Sequence, residues 1–165
     1  MLIRTFEQTD YPCVKTIYQQ GIDTGNATFQ LTAKSWDDWN TSMHSHSRLV
    51  AVENNKVIGW AAISPISNRE VYSGVAEVSV YVGLEAQGKG VGQKLLSHLV
   101  LESELNNIWM LQAVIFPENI SSIKLHANNG FRQLGIREKL GKMNDTWRDV
   151  VLMERRSKFV GISGN

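Results

Sequence analysis

Apolar positions recur along the chain with two periods, and the places where one gives way to the other mark out the elements. Leu2 to Thr5 predicts a short strand. From Asp10 onward Val14, Ile17, Tyr18, Gly21 and Ile22 keep helical spacing, with Pro12 in the first turn, where a missing N–H matters little. Ser35-Trp36-Asp37-Asp38 has the form of a capping box with Asp in place of Glu, opening a short helix that carries Trp36, Trp39 and Met43 on adjoining faces. Arg48 to Glu53 and Lys56 to Ile63 read as a hairpin turned by Asn54-Asn55, residues that accept positive φ. Val75 to Val82 alternates cleanly: Val75, Glu77, Ser79 and Tyr81 share one face, and Ala76, Val78, Val80 and Val82 the other. Gly83 to Gly92 is a glycine-rich turn into an amphipathic helix through Val91, Leu95, Leu96, Leu99 and Val100. Ile108 to Ile115 predicts a buried strand, broken by Pro117-Glu118-Asn119. Ser121 or Ser122 opens a helix through Ile123 and Leu125, which Gly130 stops. Phe131 to Arg137 and Trp147 to Glu154 predict two last strands, and Ser157 to Asn165 a frayed tail. The order is mixed α/β, with one domain over residues 1–156 and a tail over 157–165.

Composition narrows the functions such a domain can serve. The 165 residues carry 17 basic and 16 acidic side chains, a net charge of +1, so no overall field draws in nucleic acid or an anionic membrane. The charges are not evenly spread: 6 basic and 9 acidic residues precede Gln87, 3 and 3 lie between Gln87 and Phe131, and 8 and 4 follow. No stretch has the 18 or so consecutive apolar residues of a membrane span, and the N-terminal residues lack a secretory pattern. Cys13 is the sole cysteine; it excludes an intrachain disulfide and a cysteine-based zinc cluster, and a cytoplasmic location is expected. His44, His46 and His98 lack partners at metal-ligand spacing, so no metal is expected.

The chemistry concentrates in the glycine loop. Gly83-Leu-Glu-Ala-Gln-Gly88-Lys89-Gly90 follows the phosphate-loop pattern G-x-x-x-x-G-K up to its last position, where Gly90 stands in place of the Ser or Thr that holds Mg²⁺. A dinucleotide fingerprint fails too, because Gly88, Gly90 and Gly92 are followed by Gln93. What remains is a set of backbone N–H groups at a helix start, uncovered at three glycines, which suits an anion. Taken alone, the loop reads equally as a tight turn.

Two flanking patterns decide between these readings. Gln87-Gly88-Lys89-Gly90-Val91-Gly92 has the form Q/R-x-x-G-x-G directly after the strand Val78 to Val82, and Asn119 to Phe131 fits N-x-x-S-x-x-L-H-x-x-x-G-F. With these motifs the chain resembles the GNAT superfamily of N-acetyltransferases, and more narrowly its phosphinothricin acetyltransferase branch, which includes methionine sulfone and sulfoximine acetyltransferases. Asn26-Ala-Thr28-Phe29, Arg69-Glu-Val-Tyr72, Glu77 to Val82 and Trp147-Arg-Asp149 are also similar to that branch.

The resemblance implies a central, mostly antiparallel sheet with splayed central strands, flanked by helices, and acetyl-CoA lying in the opening. Carried over residue by residue, Val80, Tyr81 and Val82 offer backbone partners to the pantetheine arm, the amides of Gln87, Gly88, Lys89, Gly90, Val91 and Gly92 wrap the pyrophosphate, and Asn119 and Ser122 meet the rest of the CoA arm. Helix capping equally accounts for Asn119 and Ser122. Acetyl transfer needs a neutral amine, and Glu77 is the expected base, directly or through a water; a half-solvated strand carboxylate is the plainer account. His126 stands where many relatives carry the Tyr that protonates the leaving thiolate, and a structural helix histidine is the alternative. Phe29, Arg69 and Tyr72 are the expected acceptor contacts, with Arg69 suited to a carboxylate or phosphinate. The loop Ile66-Ser67-Asn68-Arg69 is lighter than is common in the branch, which bears on the identity of the acceptor. The expected function is acetyl transfer from acetyl-CoA to a small amino-acid-like amine by direct transfer in a ternary complex, with a homodimer implied by resemblance alone. A polyamine, an aminoglycoside or a protein N-terminus is the alternative acceptor, and a non-catalytic CoA-binding module the alternative of another class.

Overall fold

A computed structural model describes residues 1–162 of the chain. Its strands β1 (Leu2–Thr5), β2 (Leu49–Glu53), β3 (Lys56–Pro65), β4 (Val75–Val82), β5 (Met110–Ile115), β6 (Arg132–Met143) and β7 (Thr146–Arg156) form one sheet in the order β1-β2-β3-β4-β5-β7-β6. Every neighbouring pair is antiparallel except β4 and β5. Helices α1 (Tyr11–Asp23), α2 (Trp36–Ser42), α3 (Val91–Leu105) and α4 (Ile120–Asn128) complete the fold.

The alternation along the strands gives the sheet two apolar faces. Ala51, Ala61, Ile63, Ala76 and Val78 pack with Leu95, Leu96 and Leu99 of α3, while Val50, Trp60 and Ala62 pack with Val14, Tyr18 and Ile22 of α1 and Trp39 of α2. The inner strand β3 is therefore buried on both sides from Gly59 to Ile63, and the chain is a sheet between two helical layers. On the α1 side the core is aromatic. Trp60 stacks on Tyr81 with centroids 4.9 Å apart and meets Tyr18 and Trp39 edge-on, the geometry that ring quadrupoles favour.

Helix starts follow their caps. The Ser35 hydroxyl accepts the Asp38 N–H, one half of the expected capping box, while the Asp38 carboxylate accepts from the Ser35 hydroxyl rather than from its backbone N–H. α1 begins where Asp10 is fixed by Arg4, whose two guanidinium nitrogens each donate to the carboxylate at 2.8 Å, and by the Glu7 N–H. The Arg4 hydrogen bonds, aided by the Glu7 amide and the Arg4 charge and opposed by burial, hold the Asp10 carboxyl below the ordinary aspartate range. A depressed folded-state value gives stability that is present above the unfolded pKa of ~3.9 and lost as the pH falls through the folded value. Asp10→Asn is therefore expected to lower the urea midpoint at pH 7, with the gap to the wild type closing below about pH 4.

Four sequence expectations change. α4 begins at Ile120 rather than at Ser121 or Ser122, because the Asn119 side chain accepts the Ser122 N–H and so supplies the cap. Ile108 is buried but its N–H closes α3 onto the Ser103 carbonyl, which delays β5 to Met110. The strand predicted to stop at Arg137 runs on to Met143: a bulge between Arg137 and Gly141, with Lys139 at φ 47°, interrupts its alternation, and Asn144-Asp145 at positive φ turns it into β7. The frayed tail expected from Ser157 is docked over residues 157–161: the Ser157 N–H donates to the Trp109 carbonyl, and Arg156 donates to the carbonyls of Ser157, Val160 and Gly161. The rest of that predicted tail, residues 163–165, lies outside the described residues.

Candidate acetyl-transfer site

The site begins where β4 and β5 part. They pair at Val75–Met110, Ala76–Leu111 and Glu77–Gln112 and at no later residue, while β5 goes on pairing with β7 as far as Ile115. From Val78 onward β4 faces an opening. The Gly83 N–H donates to the Ile58 carbonyl on the β3 side, and antiparallel alternation then turns the backbone groups of Val80 and Val82 toward the opening and those of Tyr81 toward Trp60 of β3. Of the three residues expected to offer backbone partners, Val80 and Val82 are free to do so; Tyr81 has its own groups committed to β3.

The opening leads to the glycine loop. Leu84 to Ala86 form a 3₁₀ turn inside the segment read as a plain turn, after which Gln87, Gly88, Lys89 and Gly90 are exposed. Gly88 and Gly90 hold φ of 73° and 77° with open space where a Cβ would stand, so backbone strain rather than crowding selects glycine there. Gly90 caps α3 without a side-chain hydrogen bond, and the first-turn amides of α3, including Val91 and Gly92, point out of the helix with no intrahelical acceptor. At Gly92 a Cβ would lie 3.2 Å from Leu125, which sets α3 close to α4. Uncapped amides, bare glycines and an unpaired strand edge together suit a diphosphate and an amide-bearing arm, the chemistry acetyl-CoA presents.

Glu77 is half-buried at the last rung before the opening, and its carboxylate accepts a hydrogen bond of 2.7 Å from the Gln112 side chain. Tyr81 lies further along the same face. Burial first, then the neighbouring Tyr18, holds its phenol well above the ordinary tyrosine value; Thr28 opposes this by a hydrogen bond and the Glu77 charge adds to it. Burial also raises the Tyr18 phenol, with Thr28 opposing, and the Tyr18 ring meets Tyr81 edge-on at 4.9 Å. Next to Thr28, Phe29 meets Phe116 edge-on at 4.8 Å and fills the space above Gly141.

Arg148 ties these parts together. Its guanidinium donates to the Gly25 carbonyl, to Asn26 Oδ1 and to Glu118, and lies 4.0 Å from the Phe116 ring centroid. Only its membership of the Trp147-Arg-Asp149 pattern singled it out. Arg148 borders a cleft of ≈ 520 Å³ with Gly25, Glu118, Lys139, Trp147 and Asp149. Asn119 joins the same strap, since its side-chain amide donates to the Asn26 carbonyl.

His126 is buried, edge-on to Phe131 at 5.0 Å, with Nδ1 donating to the Ser122 carbonyl at 2.7 Å. Burial pushes its pKa below the ordinary histidine value, with the Ser122 carbonyl opposing, so the neutral ring carries its proton on Nδ1. Ser122 is half-buried, with its N–H taken by Asn119. Arg69 and Tyr72 are both exposed in the β3–β4 connection, where the guanidinium lies 5.3 Å from the Tyr72 ring centroid. They sit at the Pro65–Ala76 end of β4, opposite the glycine loop. Among the described residues no three His, Cys, Asp or Glu side chains are grouped as metal ligands, and no helix is long and apolar enough to cross a membrane.

A splayed β4–β5 pair beside an amide-lined helix start is the arrangement of the GNAT acetyltransferases, and the chain belongs to that family: residues 3–152 match the acetyltransferase (GNAT) domain. It is an acetyl-CoA-dependent N-acetyltransferase similar to the phosphinothricin acetyltransferases. The phosphinothricin N-acetyltransferase of Alcaligenes faecalis is 32% identical over 93% of this chain and 81% of its own length. The L-methionine sulfoximine/L-methionine sulfone acetyltransferase of Salmonella typhimurium is 28% identical over 93% of each chain. Among solved structures, a GNAT superfamily phosphinothricin acetyltransferase from Sinorhizobium meliloti in complex with AcCoA superposes with a TM-score of 0.89 at 30% identity, covering 99% of this chain and 91% of that one.

Proposed function

We propose that the chain acetylates the amine of a small amino-acid-like compound, of the phosphinothricin or methionine sulfone and sulfoximine type, within a ternary complex, and that the domain doing so spans residues 1–156. The carboxylate of Glu77, set on the last rung before the strands part, carries this reading. When bound, acetyl-CoA supplies the activated acetyl thioester. Val80 and Val82 hold its arm by their backbone groups, the amides from Gln87 to Gly92 hold its diphosphate, and Asn119 with Ser122 borders the arm from α4. Glu77 takes the proton of the acceptor's ammonium, directly or through one water, and so frees the nitrogen lone pair for attack.

The acceptor's own groups are matched on the Phe29 side. Phe29 and Phe116 form an apolar edge-on pair, which Arg148 covers, and the cleft that Arg148 borders offers the cations Lys139 and Arg148 beside the carboxylates of Glu118 and Asp149, a mixture of signs that fits a zwitterion better than a polycation. Arg69 and Tyr72 remain acceptor contacts in this reading only for a ligand that reaches from the cleft to the β3–β4 connection. His126, neutral with its proton directed at Ser122, anchors α4 rather than protonating the departing thiolate. Cys13 is exposed on α1 and lines a different cleft with Thr16, Lys56 and Leu84, consistent with direct transfer. A cytoplasmic location, expected from the sole cysteine, and a homodimer, expected from likeness to the family, belong to the same reading.

Release of CoA thiol across a panel of amines tests the acceptor. Turnover is expected with phosphinothricin, methionine sulfone or methionine sulfoximine, and little with spermidine, an aminoglycoside or a peptide with a free N-terminus. Preference for any of the last three overturns the proposed acceptor, and acetyl-CoA binding without thiol release for every amine overturns the enzyme reading.

A further inference from the structure

The geometry points to Gln112 as a positioning residue that aims the Glu77 carboxylate at the acceptor nitrogen, a role that rests on the proposed use of Glu77 as the base. β5 has its apolar side chains Leu111, Ala113 and Ile115 in the core beneath α3, which leaves Gln112, Val114 and Phe116 on the face that carries Glu77 and Tyr81. Gln112 is the polar member of that row, and it stands opposite Glu77 in the final β4–β5 rung. Its Nε2 donates to Glu77 Oε2 at 2.7 Å, and this is the only side-chain hydrogen bond that Gln112 makes among the described residues.

The same bond is the only one the protein gives the Glu77 carboxylate among the described residues. A carboxylate accepts at two oxygens, so Oε2 is pinned by the neighbouring strand while Oε1 is left for a proton from the acceptor or an intervening water. A free glutamate rotates about three side-chain bonds and spreads its oxygens over many directions. The cross-strand amide removes most of that freedom at the place where the sheet can no longer do so, because the next rung is already open. A neutral donor also suits a base that must receive a cation, since an arginine or lysine in the same place would hold the carboxylate with a positive charge and repel the incoming ammonium.

Kinetics of Gln112→Met, which keeps the length and apolar stem but has no donor, test the assignment alone and combined with Glu77→Gln. Loss of a hydrogen bond to a charged group predicts a fall of about 10- to 100-fold in kcat, with the KM values for acetyl-CoA and the acceptor both held within about twofold. In the Glu77→Gln background the second substitution is expected to change nothing further, since it acts through a carboxylate that is gone. Wild-type kcat in Gln112→Met, or an equal loss in both backgrounds, overturns the positioning role and leaves the base intact. Full turnover in Glu77→Gln removes the base, and the positioning with it. Independently of turnover, the side-chain amide protons of Gln112 are expected to resonate downfield in the wild type and to return to ordinary glutamine positions in Glu77→Ala; unmoved resonances overturn the pairing itself, even if a kinetic variant fails to fold.

Discussion

Glu77→Gln is expected to lower the turnover number about 10²- to 10⁴-fold, the contribution of a positioned general base, while leaving the affinity for acetyl-CoA near its wild-type value. The two halves of this expectation come from different parts of the fold. In the proposed function, cofactor binding draws on the backbone of β4 beyond Val78 and on the amides of the glycine loop, neither of which the substitution alters. The chemistry draws on a carboxylate that must accept a proton, and an amide in its place cannot. Because Gln differs from Glu by one atom and can still pair with Gln112, the fold has no reason to respond. Steady-state kinetics with thiol detection, together with a direct titration of acetyl-CoA, read the two quantities separately. Wild-type turnover would remove Glu77 from the reaction, and a parallel loss of acetyl-CoA affinity would recast it as a binding residue.

Leu95→Ala is the largest expected change in stability. Leu95 is fully buried on α3, pressed between the helix and β3 so closely that a Cβ on Gly59 would lie 3.0 Å from its Cδ1. Truncation leaves a cavity the rigid sheet cannot close, at a cost of about 2–5 kcal/mol, or roughly 2–4 °C of melting temperature for each kcal/mol in a chain of this size. The same helix presents the loop amides, so stability and cofactor binding are linked. Acetyl-CoA at about 100 times its Kd adds about 2.7 kcal/mol to any folded state that binds it, and much of the lost melting temperature is expected to return under those conditions. Thermal unfolding with and without the ligand measures both effects. A variant whose melting temperature matches the wild type would show that α3 does not bear on the sheet as described.

Most of the fold could be read from the residues because its signals are local. The alternation of β4, the capping box at Ser35 and the Asn54-Asn55 turn each encode their geometry within a few positions. Two of the changed expectations fall where geometry depends on distant partners. The bulge near Lys139 depends on the Lys139 N–H finding Asp149 on the next strand, and the ordered run after Arg156 depends on carbonyls meeting its guanidinium. The candidate site divides along the same line. Glu77 and the glycine loop announce themselves by motif and periodicity, whereas Gln112 and Arg148 take their meaning from β5 and β7 lying beside β4 and the segment after α1. Tyr81 shows the limit of transfer by motif alone: three consecutive residues match the pattern, but a strand turns only every second backbone unit to the same edge.

The single exposed sulfhydryl of the chain has a practical consequence. A reagent that counts liberated CoA by reacting with sulfur will also react once per enzyme molecule at Cys13, giving a stoichiometric burst independent of any acceptor. That background is fixed and subtractable. The same reactivity offers one attachment point for a fluorophore on α1, the helix whose far end runs into Gly25 and Asn26, where Arg148 fastens the segment leading to Phe29.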